Sequence, residues 1–399
     1  MATRKKNARG KGSKKRTSKP SDKRVSKPSS GKRKTARKTR ATSARKRKPS
    51  SPRAKKARAG TKKAAATKAS APTMKAAAKK ASAPTMKAAA IDKYGPPEVL
   101  TIHSVPVPKV GPQDVLISLL AAGVGVWDAQ IRKGEYSVGS KRFPRVLGSD
   151  GAGVVVEVGK DVDRFKEGDR VWAYEWGSSN SGFYAEYVAP NAKNVADAPD
   201  QLTLIEAGAA AVTGLTALQG VDDHLKVEKS DTVLVFGATG AVGSLAVQFA
   251  KRTGAHVVAT ASPGRAEKTL HEIGIEEVFD SRAADAAERL RSLAPGGLTA
   301  ILAFAGGDDL ELCIDQLVAD GRVAYPNGIE PEPRKRPKVR MIPYDAVGGR
   351  APLERLNRAV AESRLKVVIE KVYNLEQAAD AHARIEQGHV VGRIVLEIR

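Results

Sequence analysis

The sequence predicts an α/β protein in which a doubly wound parallel sheet follows a β-rich domain, behind a disordered basic N-terminal tail. Three observations predict it. Strand-like and helix-like segments alternate from Asp231 to about residue 326. Residues 86–200 are rich in strands and turns, with little helical periodicity. The first 90 residues hold more than the whole positive excess of the chain.

The alternation begins at Asp231–Gly243, which reads Asp-Thr-Val-Leu-Val-Phe-Gly-Ala-Thr-Gly-Ala-Val-Gly. An apolar run, Val233 to Phe236, enters a turn with glycines at 237, 240 and 243. Val242, Leu245, Ala246, Phe249 and Ala250 then recur at helical spacing. Strand, glycine turn and helix together can lay a pyrophosphate on a helix N-terminus, because glycine lets the backbone approach and the helix dipole receives the charge. The spacing Gly-x-x-Gly-x-x-Gly is a variant of the usual fingerprint, and a glycine turn with no ligand is the alternative reading. Strands are expected near 232–236, 255–260, 276–280, 299–304 and 321–326. Helices are expected near 241–253, 264–273, 283–293 and 309–319, which completes the rhythm of a parallel sheet with crossover helices.

In the β-rich part, Asp114–Leu120 and Gly168–Tyr174 read as strands. After the alternating region, 365–369 and 393–398 are again strand-like around a helix over 375–387, so the chain is expected to return to its first domain. The expected division is a tail over 1–85, a first domain over 86–211, the nucleotide-binding domain over 212–343 and the return over 344–399.

The chain carries 69 Lys+Arg against 43 Asp+Glu, a net charge of +26. Residues 1–90 hold 33 of the basic residues and a single acid, Asp22, whereas the remainder holds 36 basic and 42 acidic residues. The high isoelectric point therefore belongs to the tail. Residues 1–85 contain no aromatic residue, and Val25 is their one aliphatic β-branched residue. Such a segment cannot bury enough apolar surface to offset its ordering entropy. A dense polycation binds phosphate backbones by releasing counterions, without reading sequence, and lacks the aromatics for base stacking. Non-specific nucleic-acid binding through residues 1–85 is the expected role. A solubilising extension or a targeting address, from clusters such as Arg45-Lys46-Arg47-Lys48, is the alternative. In composition the tail resembles those of linker histones and histone-like bacterial proteins.

Lys68–Ala78 and Lys80–Ala90 are identical, Lys-Ala-Ser-Ala-Pro-Thr-Met-Lys-Ala-Ala-Ala, which reads as a local duplication and makes Met86 a candidate alternative start. Cys313 is the single cysteine, so no disulfide forms within the chain and a reducing compartment is expected. No apolar run reads as long enough to span a bilayer, and no secretory signal is visible. An intracellular location is expected, in cytoplasm or nucleoid, or in the nucleus of a eukaryote.

The second part resembles a zinc-independent medium-chain dehydrogenase/reductase of the quinone oxidoreductase, ζ-crystallin-like, group, from about Met86 to Arg399. The resemblance rests on motifs in order. Met86-Lys-Ala-Ala-Ala-Ile comes first, with Tyr94-Gly95 and Pro97-Glu98-Val99-Leu100. Gly123-Val124, Asp128, Ile131-Arg132, Gly134 and Tyr136 follow. Next come Gly148-Ser149-Asp150-Gly151-Ala152-Gly153 and Gly168-Asp169-Arg170-Val171. Tyr184-Ala185-Glu186-Tyr187, Thr213-Gly214-Leu215-Thr216-Ala217 and Gly392-Arg393-Ile394-Val395-Leu396 complete the series. The resemblance implies a GroES-like catalytic domain clasping a Rossmann domain. It implies NAD(P)H as hydride donor to a quinone or α,β-unsaturated carbonyl compound, and a homodimer. Cofactor contacts are expected from Thr213, Thr216, Gly237, Thr239, Gly240, Ala241, Val242, Gly243 and Gly328.

Cofactor choice follows from residues. An acid at the end of the second strand would hold a ribose 2′-hydroxyl. Here that end reads Thr260-Ala261-Ser262-Pro263-Gly264-Arg265, with no acid before Glu267. Hydroxyl and guanidinium suit a 2′-phosphate, so NADPH is expected, with Ser262 and Arg265 as contacts and Lys268 and Arg282 in reserve. A solvated Arg265 in a first helical turn is the plainer reading. Zinc is not expected, since one cysteine and six scattered histidines offer no tetrahedral set. Zinc relatives carry Gly-His-Glu where this chain has Gly148-Ser149-Asp150, and a ligating Cys at Gly125. The resemblance departs at two positions: quinone oxidoreductases commonly carry Asn at Gly125, and many carry Tyr at Gln130. Tyr136, Gln130, Arg132 and Tyr184 remain as candidate catalytic residues that polarise the acceptor or supply a proton. Asp128 reads as a structural acceptor. Tyr184 reads equally as a core aromatic, and a helix N-cap is the plainer role for Thr213 and Thr216. Trp127, Trp172 and Trp176 are expected to shape a flat apolar pocket, with Ser178–Gly182 at its mouth. These departures leave open a second function, a nucleic-acid-associated protein that uses the fold as an NADPH-sensing or dimerising module.

Overall fold

The computed structural model describes residues 83–136, 142–176 and 182–399. The expected tail over 1–85 lies outside these residues up to 82, and the expected mouth segment lies outside them up to 181. The first part comprises β1 (Thr85–Ile91), β2 (Leu100–Pro106), β3 (Val115–Val124), α1 (Val126–Lys133), β4 (Arg145–Val146), β5 (Asp150–Val158), β6 (Arg170–Tyr174), β7 (Tyr187–Val188) and β8 (Val195–Asp197). Then come α2 (Leu204–Gln219), β9 (Thr232–Phe236), α3 (Gly243–Arg252), β10 (His256–Thr260), α4 (Arg265–Glu272), β11 (Glu277–Phe279), α5 (Ala286–Leu293), β12 (Leu298–Ala303), α6 (Asp308–Ile314), β13 (Leu317–Pro326) and β14 (Arg340–Tyr344). The last are α7 (Arg350–Ser363), β15 (Ile369–Asn374), α8 (Ala378–Glu386) and β16 (Arg393–Glu397).

β1 sits between β2 and β4 in a three-stranded sheet, with Ile91 opposite Leu100 and Arg145. The sequence duplication stops at this strand. The upstream copy continues with Lys79 where the second continues with Ile91, and Ile91 is fully buried. Only the second copy completes the apolar face that β1 packs inward.

A second sheet takes the order β15-β16-β3-β5-β6-β8. The last strand of the chain thus pairs antiparallel with β3, Leu396 opposite Ala122. The third sheet is wholly parallel, in the order β11-β10-β9-β12-β13-β14. By rank along the chain this is 3-2-1-4-5-6, the order of dinucleotide-binding sheets, whose ligand crevice opens where the order reverses. Here that point lies between β9 and β12. Helices cover both faces. Residues of α2, α3, α4 and α7 build one core with the sheet, and α5 and α6 build another on the opposite face.

The Ala-rich α2 is not assigned by the sequence reading, nor are β14 and α7. Thr203 caps α2, its hydroxyl accepting the Glu206 N–H (3.2 Å) while Glu206 accepts the Thr203 N–H (2.8 Å), a reciprocal box that satisfies two end donors. Through a π-helical turn the helix extends over Leu204–Leu225, long and apolar enough to cross a bilayer. That corrects the expectation of no such run, but 78% of its apolar window is buried inside the protein. It packs against β3, β5 and β6 and against α3 and α7.

Two boundaries differ from the sequence reading. The helix expected to run to 319 stops at Ile314, because Leu317 is already paired with Leu298 at the start of β13. The strand expected over 365–369 lies at Ile369–Asn374 instead. Leu365 is drawn into the core beneath α7 and is not available to a sheet.

Candidate functional site

The glycine turn sits at the carboxyl end of β9, beside the switch point. Gly237 has φ of +76°, which suits glycine, and its N–H donates to Thr260 Oγ1 at the end of β10 (2.9 Å). A Cβ on Gly243 would overlap the Gly237 carbonyl and stand 2.7 Å from Ala238 Cα, so the helix can start this close only with glycine. Gly240 is open by contrast, with only Gly237 O within reach of a Cβ, at 3.5 Å. Thr239, Gly240, Ala241 and Val242 are all half-buried, leaving an accessible rim before α3. Gly328, just past β13, has φ of +87° and nothing within 4 Å of a Cβ. A narrow turn with an open outer face is the cradle a pyrophosphate needs.

Next along the carboxyl edge, Arg282 donates through Nη2 to Ser262 Oγ. Its Nε reaches Asp280 Oδ1 at 3.4 Å. Arg265 opens α4, is exposed, and its side chain makes no hydrogen bond or ion pair among the described residues. A hydroxyl and a guanidinium thus meet after β10, Arg265 opens the helix that follows, and no acid stands at the end of that strand. Asp280, which the sequence reading did not weigh, closes β11 and is taken up by Arg282. Lys268 lies on the next turn of α4, 3.8 Å from Glu272.

The closing motif of the catalytic domain reaches this loop directly. The Gly392 N–H donates to Thr239 O (2.8 Å), and Gly392 pairs with Gly240 as an isolated bridge. The adjoining Arg393 turns inward, where its Nη2 meets Asp150 Oδ1 at 3.0 Å with both side chains buried. Asp150 Oδ2 accepts the Val212 N–H from the middle of α2 (3.2 Å). Burial raises the Asp150 carboxyl to about 6, against the opposing pull of Arg393. Arg393 Nε is buried with no partner among the described residues. These roles were missed by sequence reasoning. The available signal was a charge at the head of each of two apolar strands.

Arg393 also stacks its guanidinium over Trp127, 5.1 Å from the ring centroid. The Trp127 indole N–H donates to Ser149 Oγ (2.9 Å). Trp127 packs against both the catalytic-domain core and the core around α2, so it lies on the seam between the domains. Its ring meets Trp176 edge-on at 6.4 Å, and Trp176 meets Tyr136 edge-on at 5.8 Å. Trp176 and Tyr136 are 41% and 49% exposed. Trp172, expected with them, is fully buried in the core beside α2.

The other candidate catalytic residues divide between interior and surface. Arg132 is fully buried, its Nη2 paired with Glu386 and its Nε donating to Gly95 O (3.1 Å). Tyr184 is fully buried too, and its hydroxyl donates to Asp128 Oδ2 (3.1 Å). These placements correct the expectation that either side chain reaches an acceptor: each ties interior elements together. Gln130 is exposed, and its side chain makes no hydrogen bond among the described residues. Thr213 and Thr216 lie mid-helix, not at an N-cap. Their hydroxyls return to Ala209 O and Val212 O, each at 2.9 Å. Thr213 is fully buried, whereas Thr216 is half-buried.

Asp128 caps α1 by accepting the Gly125 N–H (2.9 Å). Burial raises its carboxyl to about 7, against the hydrogen bond from Gly125 and the nearby charge of Arg393. Arg393 is committed by contact to Asp150, so the same low-dielectric interior holds a second carboxyl with no counter-ion in contact. His382 is buried with its Nε2 3.4 Å from the Tyr184 hydroxyl. Burial, aided by Arg132, lowers it to about 3, so the imidazole is neutral.

A pH dependence follows. Folded Asp128 stays protonated up to about 7, whereas an unfolded aspartate ionises near ~4. Between these values the folded state binds the extra proton, so this residue's contribution to stability is present at acid pH and is lost as pH rises toward neutrality. The full effect is at most ~4 kcal/mol at about 1.4 kcal/mol per pKa unit. Asp128→Asn should therefore gain stability relative to the parent between pH 5 and 8 in guanidinium unfolding. Parallel stability profiles for the two proteins would contradict the assignment.

Comparison with known proteins gives the family. Residues 111–200 match the alcohol dehydrogenase GroES-like domain, and residues 273–396 match a zinc-binding dehydrogenase domain. The chain is 32% identical over 306 residues to a chloroplast envelope quinone oxidoreductase homolog of Arabidopsis thaliana, covering 73% of this chain and 92% of that protein. It is 30% identical over 319 residues to the quinone oxidoreductase of Homo sapiens, covering 76% and 95%. The solved structure of the quinone oxidoreductase from Coxiella burnetii superposes with a TM-score of 0.69 at 28% identity, covering 79% of this chain and all of that one. An NAD-dependent alcohol dehydrogenase superposes with a TM-score of 0.73 at 32% identity, with the same coverage. Among the described residues no group of three or more His, Cys, Asp or Glu could hold a metal ion. The chain belongs to the zinc-independent quinone oxidoreductase group of the medium-chain dehydrogenases/reductases, oxidoreductases that use a nicotinamide cofactor.

Proposed function

We propose that this protein is an NADPH-dependent reductase of quinones or α,β-unsaturated carbonyl compounds, held on nucleic acid by its basic tail. The observation that carries the cofactor choice is the cluster after β10. Ser262 and Arg282 are in contact, Arg265 opens α4 three residues after Ser262, and no acid ends the strand. Donors and positive charge there suit a 2′-phosphate, which an acid would repel. Bound NADPH supplies a hydride, which with one proton takes a quinone to its hydroquinone and leaves NADP⁺. The chain's part is to bind, orient and exclude water, which can supply much of the rate. Thr216, half-buried on α2, and the open rim at Gly240 are among the proposed cofactor contacts. Exposed Gln130 and Tyr136 are the remaining candidates for contact with the acceptor carbonyl.

A homodimer is part of the reading. β14 is the edge of the six-stranded sheet and pairs on one side only among the described residues, which offers a second copy a strand to extend.

NADPH oxidation by the full chain with 1,4-benzoquinone, 9,10-phenanthrenequinone and a simple enone tests the reading. Turnover is expected on at least one acceptor. In the same assay Arg265→Ala should weaken NADPH at least ten-fold and NADH less than two-fold, since it removes a charge-assisted contact worth about 1.5 kcal/mol or more. Equal weakening of both cofactors would overturn the 2′-phosphate assignment. Cofactor binding with no turnover on any acceptor would favour the sensing or dimerising module.

For the tail, duplex DNA affinity of the full chain should fall with salt at a log–log slope of about −5 to −9, corresponding to roughly 6–10 phosphates neutralised. It should be lost when residues 1–82 are removed. A slope near zero, or binding that survives the deletion, would contradict the proposal.

A further inference from the structure

Gly220 ends α2 with φ of −56° and ψ of −47°, ordinary helical backbone that any residue adopts. Glycine is a poor choice there, because it gives up more chain entropy than other residues on entering a helix. Its reason lies across the fold. A Cβ built on Gly220 would stand 2.5 Å from the Tyr344 hydroxyl and 2.9 Å from Leu302 Cδ1. The absent side chain makes room for a tyrosine from β14, the last strand of the parallel sheet.

That hydroxyl donates to Thr216 O (3.0 Å), one turn before Gly220 on α2. Tyr344 is buried, and its ring stacks on His224 of the π-helical turn with centroids 4.4 Å apart. The chain that follows stays on the same helix end. Gln219 donates through Nε2 to Val347 O and accepts the Val347 N–H through Oε1, each at 2.8 Å. The same segment holds the turn after β13. Tyr344 O accepts the Asn327 N–H (2.9 Å), and Asp345 Oδ2 accepts Asn327 Nδ2 (2.8 Å). Asn327 adjoins the open, left-handed Gly328. Residues 344–347 thus fasten the Thr216 end of α2 and the Gly328 turn from one short piece of chain. Thr216 and Gly328 are both expected cofactor contacts, carried by elements distant in sequence.

We propose that Tyr344 is a positioning residue for the nicotinamide cofactor. It acts through its neighbours, not by contact: its hydroxyl and carbonyl set the spacing of Thr216 and Gly328 before the dinucleotide arrives. Ordering two separate elements at the moment of binding would cost affinity, and a preset spacing avoids that cost. This proposal rests on the reductase reading above for its cofactor.

The test is Tyr344→Phe in the full chain, which keeps the ring on His224 and removes the donor to Thr216 O. The Thr216 carbonyl still accepts the Gly220 N–H, so the variant strands no acceptor. NADPH and NADH affinities are read by fluorescence titration, and KM and kcat with 9,10-phenanthrenequinone as acceptor. Tyr344→Phe should weaken both cofactors at least five-fold, by factors equal within two-fold, because neither Thr216 nor Gly328 belongs to the Ser262–Arg282 cluster. KM for NADPH should rise in step while kcat stays within two-fold. Gln219→Leu unfastens Val347 from α2 and should act in the same direction. The double variant should weaken NADPH by less than the product of the two factors, as expected of residues that secure one segment. Thr299→Val is the control for lost stability. It removes a hydroxyl that donates to Asp231 Oδ1 (2.7 Å) at the amino edge of the sheet, and should leave both affinities within two-fold. Unchanged cofactor affinity in Tyr344→Phe, or equal weakening in Thr299→Val, would overturn the proposal. If Tyr344→Phe weakens both cofactors and the parent reduces no acceptor, the positioning role stands and the reductase reading falls. If the parent turns over and Tyr344→Phe keeps its affinities and its KM, the reductase reading stands and the positioning role falls.

Discussion

The Asp150–Arg393 ion pair is the constraint around which the site is arranged. Both groups are buried, so neither can turn to water for solvation. Removing one partner from such a pair strands a charge and costs about 3–5 kcal/mol, although the intact pair adds little over apolar packing. Its worth here is geometric. Asp150 lies on β5, Arg393 on β16, and the Val212 N–H that Asp150 also accepts lies on α2. One carboxylate thereby fixes two strands of the catalytic sheet against α2. The residue before Arg393 bonds to the glycine loop, and the guanidinium itself backs Trp127. The glycine loop is thus met by the backbone beside Arg393, and Trp127 by its guanidinium.

That commitment leaves its mark on the neighbouring carboxyl. Asp128 lies in the same interior and feels Arg393 only at a distance, so burial dominates and holds it protonated to about 7. Tyr184 and His382 complete the buried polar set, with the tyrosine hydroxyl donating to Asp128 and the imidazole held neutral. This polar interior caps α1 through the Gly125 N–H and so sets the start of the helix that carries Trp127. Tyr184 and Arg132 serve the site by holding it in shape.

Much of the fold was legible because its signals are local. The apolar run Val233–Phe236, the three spaced glycines and the period of Val242 to Ala250 each mark a strand, a turn or a helix on their own. α2 was not legible in this way. It is apolar all round because it is buried on all sides, so it has no amphipathic stripe to read. The end of α6 was misplaced because a tertiary pairing, Leu317 with Leu298, overrides a helical pattern that continues past it. At the site, the gathering of Ser262 and Arg282 followed from where the strands end. The interior roles of Tyr184 and Arg132 did not, because their neighbours Asp128 and Glu386 lie 56 and 254 residues away in sequence. Gly125 shows the same limit in miniature. Its identity makes sense only once the indole of Trp127 is seen in the volume that a Cβ there would enter.

The most direct measurement is a double-mutant cycle of Asp150→Asn and Arg393→Gln, read in unfolding free energy and in NADPH affinity. The account expects each single variant to lose about 3–5 kcal/mol of stability and to weaken the cofactor. It expects the double variant to lose clearly less than the sum in both readouts. Effects that add within about 0.5 kcal/mol, as for independent sites, would contradict the claim that this pair holds the glycine loop and Trp127 in place.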